Sequence, residues 1–260
     1  MSAINLDPDA RRFQAWQLDA LHARPADSEL FTAGPFQAVL STTDEPTGRV
    51  ILIDGTATEA ETAKGITKLR STFKKHKATF EIEYNEAAFP LVGPWLESSG
   101  LKKHERNPLM ACRPEVFKPF GAAEVELTRL TSTSKAAELQ AFQRLRWTEG
   151  GDKERDTPPI ERLHRELAIV SSVFLLAWLD WEPAGTGVSH SLKGAAEIVG
   201  VVTRSDMRRR GVAATVTSSL VARHFESGGD FVFLDAANDD AAKVYEKLGF
   251  TRFGVQIVYR

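Results

Sequence analysis

Apolar positions along this chain follow two rhythms, and the switches between them mark its elements. In residues 11–22, Phe13, Trp16, Ala20 and Leu21 fall at helical spacing, and Arg24-Pro25 ends the segment. Strands are expected over 36–40 and 49–54, with a turn-rich stretch at 41–48 between them. A lysine-rich helix follows over 58–76, then a strand over 80–84. A short helix is expected over 87–99, interrupted by Pro90 and Pro94 and ended by Gly100.

Residues 114–119 read as a connector. Beyond it, the pattern predicts a strand over 123–130, helices over 134–147 and 158–169, and a strand over 173–181. The polar stretch 148–159, with Gly150-Gly151 and Pro158-Pro159, reads as a surface loop. Residues 182–194 look turn-like. The remaining segments alternate: strand 195–203, helix 211–226, strand 231–235, helix 239–248, strand 255–259. This is an α/β (α+β) pattern, a mixed and mostly antiparallel sheet flanked by helices. The length of 260 residues suits two domains, expected at 1–118 and 119–260.

The halves also share an order. Phe80-Glu-Ile-Glu-Tyr84 precedes a helix, Gly100-Leu101 and a strand around 109–112. Phe231-Val-Phe-Leu-Asp235 precedes a helix, Gly249-Phe250 and a strand at 255–259.

The most informative segment is 196–220. A β-branched strand runs into Arg204-Ser205-Asp206-Met207, then Arg208-Arg209-Arg210-Gly211-Val212-Ala213, then directly into a helix. The first amides of a helix lack intrahelical partners, and its dipole adds positive charge there. A glycine lets backbone come close to a ligand. A strand feeding a basic loop and a helix N-terminus is therefore an anion cradle.

Arg208-x-x-Gly211-x-Ala213 after a strand resembles the Arg/Gln-x-x-Gly-x-Gly/Ala signature of the GNAT superfamily of N-acetyltransferases. The segment from Leu234 through Asn238, Ala241 and Tyr245 to Gly249-Phe250 is similar to that family's second signature. The resemblance covers about residues 195–255. It implies a GNAT fold, with the first half as a degenerate copy in tandem, and acetyl-CoA as co-substrate. It also implies acetyl transfer to a primary amine on a small molecule or peptide. In the family the loop binds the cofactor pyrophosphate, which maps here to Arg208, Arg209, Arg210, Gly211, Val212 and Ala213. Val201, Val202 and Thr203 stand where strand amides bond the pantetheine arm, and Asn238 where a side chain does. Glu197 is the candidate base and Tyr245 the candidate acid for the departing thiolate. Each has a structural alternative: sheet core for the valines, a helix cap for Asn238, a packed helix face for Tyr245, a strand-edge position for Glu197. His190 is a further candidate as a proton shuttle. Residues 54–64 of the first half lack the Arg-x-x-Gly-x-Ala pattern, so no cofactor site is expected there. The loop 147–159 is expected to border the acceptor pocket. The same signatures would serve a non-catalytic acyl-CoA-binding sensor.

Composition narrows the partners. Lys plus Arg number 33 and Asp plus Glu 35, a net charge of −2, which gives no global attraction to nucleic acid or anionic membrane. No apolar run spans a bilayer, and the first nine residues lack the pattern of a secretory signal, so a cytoplasmic location is expected. The one cysteine, Cys112, reads as a core residue, and no metal site is expected.

Overall fold

The computed structural model describes residues 7–23, 28–41, 47–150, 158–169 and 171–260. They form two compact units. The first comprises Met1–Leu109, Asp235–Ala237 and Arg252–Arg260; the second comprises Met110–Leu234 and Asn238–Thr251.

In the first unit, α1 (Pro8–His22) starts at Asp7, whose carboxylate accepts the Asp9 amide at 2.8 Å. It buries Ala10, Phe13, Trp16 and Leu21. A hairpin of β1 (Ser28–Ala33) and β2 (Phe36–Ser41) continues antiparallel into β3 (Thr47–Leu52). Helix α2 (Glu59–Lys75) then crosses over to β4 (Thr79–Asn85), which runs parallel to β3. After α3 (Val92–Ser98), β5 (Lys103–Cys112) carries the chain toward the second unit. The core contains Leu69, Phe73, Ile82, Tyr84 and Leu96.

The second unit has the strand order β6-β7-β8-β9-β10. Its elements are β6 (Val125–Leu130), α4 (Ala136–Gly150), α5 (Ile160–Leu167), β7 (Ser172–Leu179), β8 (Glu182–Leu192), β9 (Ala195–Thr203), α6 (Val212–Glu226), β10 (Phe231–Asp235) and α7 (Asp239–Lys247). Neighbours are antiparallel from β6 to β9, and β9 and β10 are parallel. Helices α4 and α5 cover one face, packing Phe142, Leu145 and Leu163 on Phe174, Leu176 and Val188. Helix α6 lies against the other face, since successive strand residues alternate sides and Val216 sits at Gly187.

The last strand, β11 (Thr251–Tyr259), pairs antiparallel with β4, with Ile257 opposite Tyr84 and Val258 opposite Glu83. Ile257 and Tyr259 are fully buried in the first unit's core. Where the sequence suggested a boundary after Lys118, the contacts divide the chain after Leu109 and return its final strand to the first unit.

The internal repeat has a geometric counterpart. After α3, Gly100 has φ +79° and Leu101 N–H bonds back to Leu96 O. After α7, Gly249 has φ +97° and Phe250 N–H bonds back to Tyr245 O. Both are six-to-one helix closures that require a left-handed residue, and in both the next side chain is buried.

Two expectations needed correction, and one strand had not been anticipated. Residues 182–194 are largely strand β8, not a turn. Their glycines reflect close packing: a Cβ at Gly185 would lie 2.6 Å from Val202 O, and one at Gly187 2.4 Å from Val216 Cγ1. Strand β1 was not anticipated. The helix expected over 87–99 forms only from Val92, with Pro94 inside its first turn, where the lost amide costs little.

Candidate active site

The candidate site assembles where β9 and β10 part. Their parallel pairing runs through Ala195–Phe231, Ala196–Val232 and Glu197–Phe233 and stops there, while β9 continues to Thr203. On its other edge β9 carries a bulge: Val188 faces Val199 and Thr186 faces Val202, with Gly200 at φ +60° between them. The Thr186 hydroxyl donates to Gly200 O at 2.9 Å and pins the distortion. The backbone from Ile198 to Thr203 therefore leaves its β10-side groups beyond the paired ladder. The sequence-predicted Val201, Val202 and Thr203 all lie there, and the Thr203 hydroxyl is buried with no hydrogen-bond partner among the described residues.

From Arg204 the chain makes one 3₁₀ turn, Ser205–Met207, and enters α6 through Gly211. Gly211 caps the helix at φ +82°, and no side chain accepts from the first amides. The first helical bond is Thr215 N–H to Gly211 O at 2.9 Å. The amides of Val212, Ala213 and Ala214 thus point out of the helix end as unmatched donors. Phe120 and Ala122 wall this end. Their amides donate to Ser218 and Thr215 hydroxyls at 2.8 and 3.0 Å.

The three arginines are not equivalent. Arg210 is held by Asp180 at 2.6 Å and Glu124 at 3.0 Å, and its guanidinium keeps the Asp180 carboxyl below the usual range. Arg208 reaches Glu149 of α4 at 3.3 Å. Arg209 is exposed at φ +65° and has no ion pair among the described residues. The local positive surplus is therefore smaller than the bare triple implies, although such exposed pairs are weak and exchange readily.

Glu197 sits in the last paired rung of β9 and β10, half-buried. Asn238 is the N-cap of α7: its side-chain oxygen accepts from Ala241 N–H at 2.9 Å. Tyr245, about two turns further, is 8% exposed and rests on Phe250 with ring centroids 5.9 Å apart. His190 is not in a loop; it lies on β8 directly opposite Glu197. Residues 182–194 had looked turn-like, and the alternation Val188-x-His190 was the signal of a strand available in the sequence. Cys112 is buried, and burial pushes its thiol up to about 12, so it is protonated and unreactive at neutral pH.

Residues 139–250 match the model of the acetyltransferase (GNAT) family. We refer to that matching stretch as the GNAT domain. No curated protein matches the sequence. Among solved structures, the chain is similar to a GCN5-related N-acetyltransferase from Kribbella flavida, at 22% identity and a TM-score of 0.73, over 96% of this chain and 94% of that one. A tandem GNAT protein from the clavulanic acid biosynthesis pathway is 15% identical with a TM-score of 0.64, over 99% and 91%. A GCN5-related N-acetyltransferase from Sphaerobacter thermophilus is 14% identical with a TM-score of 0.62, over 86% and 76%. These likenesses establish the GNAT fold along nearly the whole chain.

The GNAT domain contains every residue that the sequence singled out for chemistry. Acyl transfer is the reaction class its family describes. Part of the loop expected at the acceptor pocket, 151–157, lies outside the described residues. Among the described residues no group of His, Cys, Asp and Glu is placed to hold a metal, and no helix is long and apolar enough to cross a membrane.

Proposed function

We propose that the GNAT domain moves an acetyl group from acetyl-CoA to a primary amine by direct attack on the thioester. The observation that carries this reading is the parting of β9 and β10 immediately before an uncapped helix N-terminus. The residues present fit the cofactor. Backbone of Val201, Val202 and Thr203 offers hydrogen bonds to an extended amide-bearing arm, and the orphaned Thr203 hydroxyl gains a partner there. The amides of Val212 and Ala213, with Gly211 leaving the approach open, receive a pyrophosphate, and Arg208 and Arg209 add charge. Arg210 acts more distantly, through the acidic pair it holds. Asn238 spends its oxygen on its own helix, so its amide NH₂ is the part offered to a ligand. When bound, acetyl-CoA supplies an activated acyl carbonyl. Glu197 takes the proton that the amine must lose, and Tyr245 offers one to the departing sulfur.

The first unit has no equivalent site on this reading. Helix α2 begins with a closed capping box: Thr58 Oγ1 accepts the Glu61 amide at 3.3 Å, and the Glu61 carboxylate accepts the Thr58 amide at 2.8 Å. The carboxyl of Glu61 is held below its usual range by those bonds to Thr58. The anion position of α2 is already filled by its own sequence.

A thiol-release assay over amino acids, polyamines, aminoglycosides and peptide N-termini tests the function. Release dependent on one of these amines supports it. Tight acetyl-CoA binding without release by any of them would favour the sensor reading, and absence of binding would overturn both.

A further inference from the structure

A polar row crosses the second unit's sheet next to the parting strands. Ser172 on β7 is opposite His190 on β8, and His190 is opposite Glu197 on β9. Opposed residues of antiparallel strands share a face, with Cβ atoms about 4.5–5.5 Å apart. The face is the one under α4 and α5, because Val188, two residues before His190, belongs to that core. Phe174 of the same core sets its ring edge-on to His190, at 6.3 Å and 79°. Ser172 is buried, and its hydroxyl lies 2.7 Å from His190 Nδ1. The row ends at Glu197, the last rung before β9 and β10 separate. The helices above contribute Arg146, beside the bulge at Gly200, and Glu166, which pairs with Arg146 at 2.5 Å and Arg162 at 3.3 Å. The other histidine of this sheet region differs. His224 bonds Ser191 Oγ at 3.0 Å and Gly194 O at 3.1 Å, which ties a helix to a turn.

We propose that His190 relays the proton that Glu197 takes from the acceptor amine, with Ser172 holding the imidazole through Nδ1. The inference rests on Glu197 being the base. An amine N–H bond breaks and a Glu197 O–H bond forms as the nitrogen attacks. That O–H bond then breaks and an Nε2–H bond forms on His190. The imidazolium releases this proton to water, while Nδ1–H remains donated to Ser172 Oγ. His190 and Glu197 are both half-buried side by side on this face, and an imidazole can both accept and release a proton.

The test uses the full chain with isotope-labelled histidine. The sequence has six histidines, and H190Q assigns the resonance of the one in question. Removing the neighbouring negative charge in E197Q is expected to lower the His190 midpoint by about one pH unit or more. An unchanged midpoint overturns the coupling. Kinetics with the best amine of the thiol-release panel separate the two levels of the idea. H190Q keeps an amide near the Nε2 position but cannot carry a proton. It is expected to lower kcat about tenfold or more, with the KM for acetyl-CoA unchanged and the acid limb moved to lower pH. Full activity in H190Q, with E197Q impaired, overturns the relay and leaves Glu197 standing. Full activity in E197Q at every pH overturns the base itself. If H190Q folds poorly, S172A perturbs the same imidazole, and wild-type rate and His190 midpoint in S172A would overturn the role given to Ser172.

Discussion

Replacing Gly211 by glutamate should empty the phosphate cradle without unfolding the domain. The new side chain has two effects with separable sizes. Gly211 sits at φ +82°, a conformation that costs a non-glycine residue about 1–2 kcal/mol. A Cβ there would lie 3.0 Å from Ala122 Cβ and 3.3 Å from Phe120 Cε1, so both neighbours must give by a few tenths of an ångström. This first effect acts on stability and is shared by Gly211→Ala. The second acts on binding. A carboxylate about 4 Å from a phosphate charge costs about 4 kcal/mol at an effective dielectric near 20, and about half that with water close by. At 1.4 kcal/mol per tenfold, 2–4 kcal/mol weakens acetyl-CoA binding by about 30- to 700-fold. The carboxylate also competes for the open amides of α6, much as Glu61 caps α2. Titration calorimetry with acetyl-CoA measures the difference, with circular dichroism to confirm the fold. Gly211→Ala should lose stability but keep most affinity, and the deficit of Gly211→Glu should shrink at high salt. If folded Gly211→Glu binds as tightly as the wild type, the pyrophosphate does not lie at this helix end.

Calorimetry should also give one acetyl-CoA per chain, because the capping box closes α2; a stoichiometry near two would refute the contrast drawn between α2 and α6. Glu197→Gln should reduce turnover by about 10²- to 10⁴-fold, and less as pH rises and more amine is already neutral, while Tyr245→Phe should cost less because a thiolate with a pKa near 8.5 departs without much help. The pH–rate profiles of both variants on one amine check this, and a pH-independent Glu197→Gln loss would point to a structural role. Truncation after Thr251 removes Ile257 and Tyr259 from the first unit's core, so proteolysis should attack that unit first even though the deleted residues follow the GNAT domain. Equal protection of both units would contradict the pairing of β11 with β4.

Much of the candidate site was readable because its signals are local. The β-branched run of β9, the loop glycine and the helix after it are consecutive, and the strands 195–203 and 231–235 have the bounds expected for them. What failed depended on packing against distant residues. Gly185 and Gly187 resemble turn residues until Val212 and Val216 of α6 are seen pressing on them. The opposition of His190 and Glu197 comes from strand register, which a misassigned β8 could not provide. The acidic partners of Arg208 and Arg210 come from three other segments. One signal was present and unused: Thr58-x-x-Glu61 is a capping-box pattern, and it states in sequence why the first half lacks an open helix end.

The return of β11 to the first unit has a consequence for biosynthesis. Chains emerge N-terminus first, at about 5–20 residues per second, and domains usually close as they appear. Here the sheet edge at β4 waits for Arg252–Arg260, which are made only after the whole second unit. During that interval an apolar edge is open to any strand with matching alternation, including β11 of a neighbouring nascent chain. Translation on polysomes, where identical chains are closely spaced, is thus the setting in which this architecture is most exposed to exchanged-strand dimers.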